Sequence, residues 1–323
     1  MSTRPELLTA DFRALSARLG SDPLQVQGPG GNTSIKEGDV MWIKASGTEL
    51  ANAETQDIFV AVDRNAAKAE ANGAGDGSCK ATVLDPVITL RPSIETTFHA
   101  ALDHKVVAHT HSVVTLAHVI SPQGRALLGE KLKGLAFALV PYAKPGLPLT
   151  REILARATPD TVVILLQNHG LICCGDTVEE VTNLIAEVEA RLQLPSAEAK
   201  GSLPTETSPK GFIWQTESWL AQDAVAQSRA LSGTYYPDHV VFLGPSLPTK
   251  DHSGDPAAVL IKDVGVALRD GATRSQKAML TCLCDVLARI PSEWTLDAIG
   301  EAAEDELLDW DAEKYRQALA VKS

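Results

Sequence analysis

The sequence predicts an α/β fold, with a large α/β domain at residues 1–205 and a smaller α/β extension at residues 206–323. Two observations predict this class and the division into two parts. Amphipathic helical patterns alternate along the chain with short runs of β-branched residues, which are typical of strands. With 323 residues, 44% of them hydrophobic, the chain is also long enough for more than one core. Residues 194–211 have the composition of a linker and mark the boundary.

The N-terminal part should contain a helix, a glycine-rich loop and a strand, in that order. Residues 6–19 form an amphipathic helical pattern that ends at Gly20. Residues 28–34 contain three glycines, which permit positive φ angles and close approach of a ligand to the backbone, so we predict a loop there. A strand pattern at residues 39–45 follows, and a small polar turn at residues 46–48 ends it.

The strongest chemical signal lies in a predicted helix–strand unit. In residues 93–104 apolar side chains recur at three- and four-residue intervals, which predicts a helix with Ser93 as its N-cap. Residues 105–111 are rich in β-branched residues, and alternate side chains of a strand point to the same face. His109 and His111 therefore share a face and could bind one ion together. The alternative is a pair of ordinary strand histidines, one of them hydrogen-bonded in the core.

A third histidine, His169, lies at the end of a buried strand pattern in residues 161–170. A polar Asn-His-Gly segment at the tip of an apolar strand is typical of a site residue held by a rigid scaffold. Three neutral imidazoles that leave one coordination position open describe a catalytic zinc-type site rather than a structural one. We therefore predict a metal site formed by His109, His111 and His169. Zinc suits three imidazoles, and cobalt, manganese or iron remain open.

The later elements of the first domain follow the same alternation. We predict a short helix and a loop at residues 63–78, a helix at 113–120, strands at 134–140 and 171–175, and a helix from the capping box of Thr177 and Glu180 to about residue 193.

The extension shows no catalytic motif of its own. We predict a helix at residues 212–231, a strand at 238–243, a hairpin around 263–265, and helices from Thr273 and Thr295. The polar residues Pro237 to His239 and Lys262 could cap a substrate pocket, but we favour solvated strand ends.

Five short motifs occur in order along the first two thirds of the chain. They are Gly30-Gly-Asn-Thr-Ser34, Lys44-Ala-Ser-Gly-Thr48, Pro92-Ser-Ile-Glu95, His109-Thr-His111 and Asn168-His-Gly170. Each motif is unspecific alone, but together the five resemble the class II aldolase/adducin family. The motif sequences are most similar to those of the aldolase half of bifunctional rhamnulose-phosphate aldolase/alcohol dehydrogenases. The family also includes fuculose-phosphate aldolases.

This resemblance implies a three-layer α/β/α domain with a mostly antiparallel mixed sheet, commonly assembled as a homotetramer. It also implies retro-aldol cleavage of a ketose phosphate through a metal-stabilised enediolate. The metal held by the three histidines would act as a Lewis acid. Glu95 would move the proton, with a pKa tuned by its burial beside the cation.

The resemblance also assigns an anion-binding pocket and a proton donor. The residues that would hold the substrate phosphate are Gly31, Asn32, Ser46, Gly47 and Ser93. Several family members carry a second serine where this chain has Ile94, so a carboxylate or sulfonate remains open as the anion. Tyr142 corresponds to a loop tyrosine that commonly donates a proton in the active site of a neighbouring subunit. A turn tyrosine that packs on Pro141 and Pro145 is the alternative.

Several other functions fit the same motifs. A metal-dependent decarboxylase, epimerase or dehydratase of a sugar acid or sugar phosphate would use the same ion. A non-catalytic adducin-like binding module would keep only the fold. The presence of all three histidines together with Glu95 argues against such a module.

Composition excludes several other classes of function. The net charge is −12, and the absence of a basic stripe argues against nucleic acid binding. The longest apolar runs are about six residues, far below the ~20 residues of a membrane helix. The N-terminus lacks the pattern of a secretory signal. Five cysteines without a Cys-x-x-Cys pair suit a reducing compartment. We therefore expect a cytoplasmic enzyme that acts on a small molecule.

Overall fold

A computed structural model describes residues 2–197, 201–249 and 255–321. The strands in these residues are β1 (Asn32–Glu37), β2 (Val40–Lys44), β3 (Phe59–Asp63), β4 (Val106–Thr110), β5 (Phe137–Val140), β6 (Val163–Leu166), β7 (Gly170–Gly175), β8 (Phe212–Trp214), β9 (Ala258–Ile261) and β10 (Gly265–Arg269). The α-helices are α1 (Ala10–Ser21), α2 (Arg64–Ala69), α3 (Thr96–Ala101), α4 (Val113–Val119), α5 (Pro122–Lys131), α6 (Leu147–Leu154), α7 (Val178–Leu192), α8 (Trp219–Gln222), α9 (Ala224–Leu231), α10 (Pro237–Leu243), α11 (Arg274–Leu287), α12 (Glu301–Leu308) and α13 (Asp311–Ala320).

The first seven strands form one sheet in the order β3-β2-β1-β4-β7-β6-β5. All neighbours are antiparallel except β5 and β6, so the predicted mostly antiparallel mixed sheet is confirmed. Strand β4 is central and is paired on both sides. Its His109 lies opposite Asn32 of β1 and Ile172 of β7. The strand that carries the predicted metal ligand His109 is therefore held by a neighbouring strand on each side.

Helices cover both faces of this sheet, which confirms the predicted three layers. Along β4, Val106 and Ala108 join a buried cluster with residues of α1, α4 and α7. Val107 points the other way and joins a cluster with residues of α3 and α6. This alternation is the expected consequence of burying both faces of a strand.

The C-terminal segment has its own sheet, β8-β10-β9, surrounded by helices. Its apolar core is continuous with that of the first domain, because Phe242, Leu260 and Leu283 belong to the same buried cluster as Val113 and Leu116. The hairpin of β9 and β10 and the helix start at Thr273 are as predicted. The division into separate domains at residue 205 stays a prediction.

The predicted linker contains no helix or strand where the structure describes it, at residues 194–197 and 201–211. Its residues 198–200 lie outside the described residues.

Two N-terminal predictions were wrong in their bounds. Helix α1 begins only at Ala10 and continues through Gly20 to Ser21. The predicted loop at residues 28–34 ends early, since β1 begins at Asn32. Gly28 and Gly31 do have positive φ angles, of 53° and 58°. The glycines therefore shape the turn, and the polar residues after them pair in the sheet.

The predicted helix at residues 93–104 is shorter than expected. Helix α3 spans only Thr96–Ala101, and Glu95 rather than Ser93 occupies the N-cap position. Ser93 instead shapes a turn before the helix, because its hydroxyl accepts a hydrogen bond of 3.2 Å from the Glu95 N–H. The turn therefore places the Glu95 side chain at the N-terminus of α3.

Three predictions in the extension were wrong. Residues 238–243 form helix α10 rather than a strand. Residues 212–214 form β8, so the predicted helix at 212–231 is split into α8 and α9. Within the residues that the structure describes, no helix begins at Thr295, and the next helix, α12, begins at Glu301. All seven residues of α10 are buried, so its sequence lacks the polar face that would distinguish a helix from a strand.

None of the helices within the described ranges is both long and apolar enough to cross a membrane.

The buried His239 of α10 predicts a pH-dependent stability. Burial lowers its pKa to about 3, whereas the unfolded chain should titrate near 6.5. Because the unfolded state then binds more protons than the folded state, the free energy of unfolding should fall as the pH drops below about 6.5, by about 1.4 kcal/mol per pH unit for this residue. Urea unfolding between pH 7 and pH 4, with a chelator present, should show a smaller slope for His239→Leu. Equal slopes would contradict the prediction.

Candidate metal centre and active site

The three predicted histidines lie together. The ring centroids of His109, His111 and His169 are 4.9 to 5.4 Å apart. One donor atom from each ring lies within 4.8 Å of the other two, a grouping that could hold a metal ion. All three side chains are buried.

The turn that carries His169 explains the Asn-His-Gly motif. Asn168 has a φ of 56°, a left-handed conformation that asparagine tolerates better than most residues. Its side-chain amide donates hydrogen bonds to the backbone oxygens of Tyr235 and Asp297, 3.0 and 2.7 Å away. A Cβ atom on Gly170 would lie 2.3 Å from the Thr110 oxygen, so only glycine lets the turn approach β4. The flanking residues therefore fix the position of His169.

Glu95 lies beside two of these imidazoles. Its two carboxylate oxygens lie 3.6 Å from Nε2 of His109 and 3.5 Å from Nε2 of His169. The amide of Asn32 donates a 2.8 Å hydrogen bond to Oε2 of Glu95. Burial by itself raises the pKa of Glu95, whereas the Asn32 hydrogen bond and any positive charge on the two histidines lower it, and the net pKa lies below its usual value. The predicted base is therefore held as a carboxylate.

A hydrogen-bonded chain behind Glu95 was not predicted from the sequence. The Asn32 side-chain oxygen accepts a hydrogen bond from Nε2 of His99, and Nδ1 of His99 lies 2.7 Å from the Ser34 hydroxyl. The Lys36 ammonium donates a 2.8 Å hydrogen bond to the His99 backbone oxygen. The alternation of Asn32, Ser34 and Lys36 along one face of β1 could have indicated this buried polar network.

The residues fit a divalent cation. His109 has a carbonyl partner at Nδ1, the Leu171 oxygen 3.0 Å away, but its buried Nε2 has no hydrogen-bond partner among the described residues. Such buried orphan atoms are rare, and a bound cation would satisfy this one. Burial lowers the pKa of His169 to about 3 and also lowers that of His109, so both imidazoles are in the neutral form that binds metals.

Four of the five predicted anion-binding residues line one pocket next to the histidines, namely Gly31, Asn32, Ser46 and Ser93. Gly47 does not line it: a Cβ atom there would lie 2.3 Å from a methyl carbon of Leu319, which shows that α13 covers this turn.

The pocket also contains Lys44, which the prediction did not include as a site residue. Its buried ammonium donates hydrogen bonds to the Pro29 and Gly30 oxygens, 2.7 and 3.3 Å away. Burial, together with Arg316, lowers the pKa of Lys44 to about 7. A lysine on strand β2, next to a polar turn, is the sequence signal that could have pointed to this buried amine.

The C-terminal segment forms the remaining wall, with Pro237, Asp238, Glu313 and Arg316. The favoured prediction of solvated strand ends was therefore wrong for Pro237, Asp238 and His239, which are all buried on α10, although Lys262 is exposed as expected. Burial raises the pKa of Asp238, but Arg316 and His111 outweigh it and hold the pKa below its usual value. The cavity enclosed by these residues has a volume of about 30 Å³, which leaves room for roughly two water molecules.

Tyr142 does not join this cluster. It is partly buried and does not line the pocket of its own chain, and its hydroxyl has no hydrogen-bond partner within the described part of the structure. Burial raises its pKa, and the nearby Glu306 and Glu304 raise it further. Its assignment as a proton donor for a neighbouring subunit stays a prediction.

A mixed sheet between helices, with three histidines at its strand ends and a glutamate beside them at the start of α3, defines a class II aldolase-type domain. The family model described as class II aldolase and adducin N-terminal domain matches residues 14–194, and the chain belongs to this family.

The relatives that match parts of the chain include a Bacillus protein, an aldolase and a decarboxylase. The uncharacterized oxidoreductase YuxG of Bacillus subtilis is 31% identical over 194 residues, which cover 53% of this chain and 27% of that protein. An L-fuculose phosphate aldolase of Methanocaldococcus jannaschii is 28% identical over 189 residues, covering 54% of this chain and 88% of that enzyme. A 3-oxo-tetronate 4-phosphate decarboxylase of Escherichia coli is 31% identical over 119 residues, covering 32% and 55%. The chain thus spans about a quarter of the Bacillus protein and about half of the decarboxylase.

Among solved structures, the N-terminal class II aldolase domain of a conserved protein from Thermoplasma acidophilum is similar, with a TM-score of 0.51 and 27% identity. The match covers 59% of this chain and 97% of that chain.

We predict that His109→Ala, His111→Ala and His169→Ala each lose bound metal, because two imidazoles hold a transition ion far less tightly than three. Elemental analysis of the purified variants measures this. The control is His118→Ala, which removes a buried imidazole of α4 that bonds the Val114 oxygen and lies outside the cluster. Stoichiometric metal in all three cluster variants would rule out the site.

Proposed function

We propose that this protein is a metal-dependent lyase that cleaves a carbon–carbon bond of an anionic sugar, as in the retro-aldol cleavage of a ketose phosphate. The observation that carries the proposal is the carboxylate of Glu95, which lies within 3.6 Å of two imidazoles of the histidine cluster and is fixed by Asn32. The relationship to L-fuculose phosphate aldolase supports the same reaction class.

The metal, zinc or another divalent transition ion, would be held by His109, His111 and His169 and would supply Lewis acidity toward the carbonyl of the substrate. Glu95 accepts the proton of the hydroxyl group whose carbon becomes the aldehyde. The electron pair of the broken bond moves toward the carbonyl, and a proton returned to the carbon completes the ketone product. Glu95 suits both proton transfers because it is a carboxylate whose orientation is fixed by the neutral amide of Asn32 and not by a cationic side chain.

The anionic group of the substrate would bind on the other side of the pocket. Lys44 supplies the positive charge, and the hydroxyls of Ser46 and Ser93 supply donors. An anion next to Lys44 would favour its protonated form, since an opposite charge opposes the effect of burial on the pKa. Ile94 also lines the pocket and offers no hydroxyl, so a carboxylate fits this site as well as a phosphate.

A decarboxylase of a 3-oxo sugar acid phosphate is the second candidate. One observation favours it, the 31% identity to a 3-oxo-tetronate 4-phosphate decarboxylase. Both reactions break a carbon–carbon bond next to a carbonyl, and they differ in whether an aldehyde or carbon dioxide leaves.

A homotetramer in the cytoplasm, with active sites at subunit contacts, belongs to the same proposal. A non-catalytic binding module is disfavoured because such a module has no use for a buried carboxylate beside two imidazoles of a histidine cluster.

The substrate class is tested by incubating the metal-loaded protein with ketose phosphates and 3-oxo acid phosphates. Released aldehyde supports the aldolase and released carbon dioxide supports the decarboxylase. If neither product forms and the carbon-bound protons do not exchange with solvent, the lyase proposal fails.

Glu95→Gln tests the base directly. The variant keeps the side-chain size and an acceptor oxygen for Asn32 but removes the charge, so metal content and melting temperature should stay close to those of the wild type. Turnover and exchange of the carbon-bound proton with solvent should both collapse. A merely structural carboxylate at a helix N-terminus would cost only about 0.3–1 kcal/mol of stability and leave catalysis intact. Unchanged proton exchange in metal-replete protein would remove Glu95 from the mechanism.

Tyr142→Phe tests the role of a neighbouring subunit. The chain places this hydroxyl outside its own pocket, so a catalytic role requires a second copy. Loss of the hydroxyl should slow turnover by roughly 10²–10⁴-fold, the usual effect of a general acid, with metal content unchanged. Hybrid oligomers with inactive Glu95→Gln subunits should regain part of the activity. Full activity of homogeneous Tyr142→Phe would show that the hydroxyl is not used.

A further inference from the structure

We propose that Asp238, on helix α10 of the C-terminal segment, is a positioning residue of the metal centre that fixes the tautomer and orientation of His111. The inference rests on the proposed metal site. It extends that site beyond residues 14–194, which the family model covers.

The contact between Asp238 and His111 is buried. Oδ2 of Asp238 lies 3.3 Å from Nδ1 of His111, and the two side chains are 3% and 7% exposed. A carboxylate oxygen can only accept, so the attractive arrangement places the ring proton on Nδ1. Nε2 of His111 is then left with a free lone pair for a metal.

His109 offers a comparison, because it has an acceptor at the same ring nitrogen. Its Nδ1 lies 3.0 Å from the Leu171 backbone oxygen, and its Nε2 points toward Glu95. Metal-binding histidines almost always donate their second ring N–H to a carbonyl or carboxylate in this way. The sheet supplies the acceptor for His109, and the C-terminal segment supplies the acceptor for His111.

Asp238 is itself held in place from α13. The Arg316 guanidinium donates to both oxygens of Asp238, at 2.9 and 3.3 Å, and it also donates to Glu313 at 2.8 Å. A two-pronged pair of this kind fixes the plane of the carboxylate as well as its position. All three side chains are buried, so the orientation is not averaged by solvent.

Gly30 provides an independent indication that the contact is built into the fold. A Cβ atom on Gly30 would lie 2.9 Å from Oδ2 of Asp238 and 2.9 Å from Nδ1 of His111. The glycine-rich turn therefore passes directly under the pair and leaves just enough room for it. Its φ lies outside the left-handed range, but a Cβ here would also lie 3.0 Å from the Gln27 backbone oxygen, so an alanine requires a small shift of the turn as well.

The test is a titration of the metal-free full chain with Co²⁺, followed by visible absorption. Asp238→Ala should raise the dissociation constant by 10–100-fold, the usual effect of removing such a partner, and should change the ligand-field bands. Asp238→Asn keeps an oxygen that can accept from Nδ1 and should recover part of the affinity. Asp285→Asn on α11, which breaks the ion pair with Arg289, controls for general weakening of the segment and should bind like the wild type.

The outcomes separate this inference from the proposed function. If the wild type binds no Co²⁺ or Zn²⁺, the metal centre itself is wrong and the inference falls with it. If the wild type binds and Asp238→Ala binds equally well with the same spectrum, only the role of Asp238 is overturned.

Two further measurements cover the case in which Asp238→Ala does not fold. Nitrogen NMR of the histidine rings in unmutated, zinc-loaded protein should show His111 protonated at Nδ1 and coordinated through Nε2, and the opposite tautomer would overturn the inference. Gly30→Ala inserts a methyl group between the two side chains without changing any charge, and it should also weaken Co²⁺ binding. Unchanged binding in this variant would argue that the contact does not position the ring.

Discussion

The pairing of β1 with β4 is the constraint on which the candidate site depends. It places Asn32 opposite His109, and Asn32 then holds Glu95 through one side of its amide and His99 through the other. A shift of this register by one residue would turn Asn32 to the other face of the sheet. Glu95 would lose its hydrogen-bond donor, and the histidine cluster would lose Asn32 as a neighbour. Backbone hydrogen bonds thus set the geometry of the chemistry.

Much of this site could be predicted from the sequence because its parts are local. His109 and His111 share a face by strand alternation, and the Asn-His-Gly turn presents His169 at a strand end. The shape of the turn before α3 could not be predicted, since the helical periodicity of residues 93–104 extends through it. The network from Asn32 to His99 was missed as well, because it joins residues 67 positions apart through sheet pairing that the sequence alone does not specify.

The extension was harder to predict for a different physical reason. Helix α10 is buried on all sides, so tertiary burial rather than amphipathic periodicity determines its structure. Pro237 at its first turn was compatible with a helix, but the run of valine and phenylalanine after it also suits a strand. The contact of Asp238 with His111 joins two segments on opposite sides of the linker. No local pattern encodes such a contact, which explains why the segment seemed to contain no functional residue.

The small space inside the pocket has a consequence for how ligands bind. Pockets for small molecules usually measure roughly 300–1,000 Å³, whereas α10 and α13 leave about 30 Å³ here. The ketose phosphate proposed as substrate is larger than this space, so its binding would require part of this wall to move. The measured affinity for substrate then contains the free energy of opening, because apparent binding weakens in proportion to the fraction of open molecules. Substitutions on α13 that loosen the wall without disturbing Arg316 should therefore tighten apparent binding even where they touch no atom of the substrate.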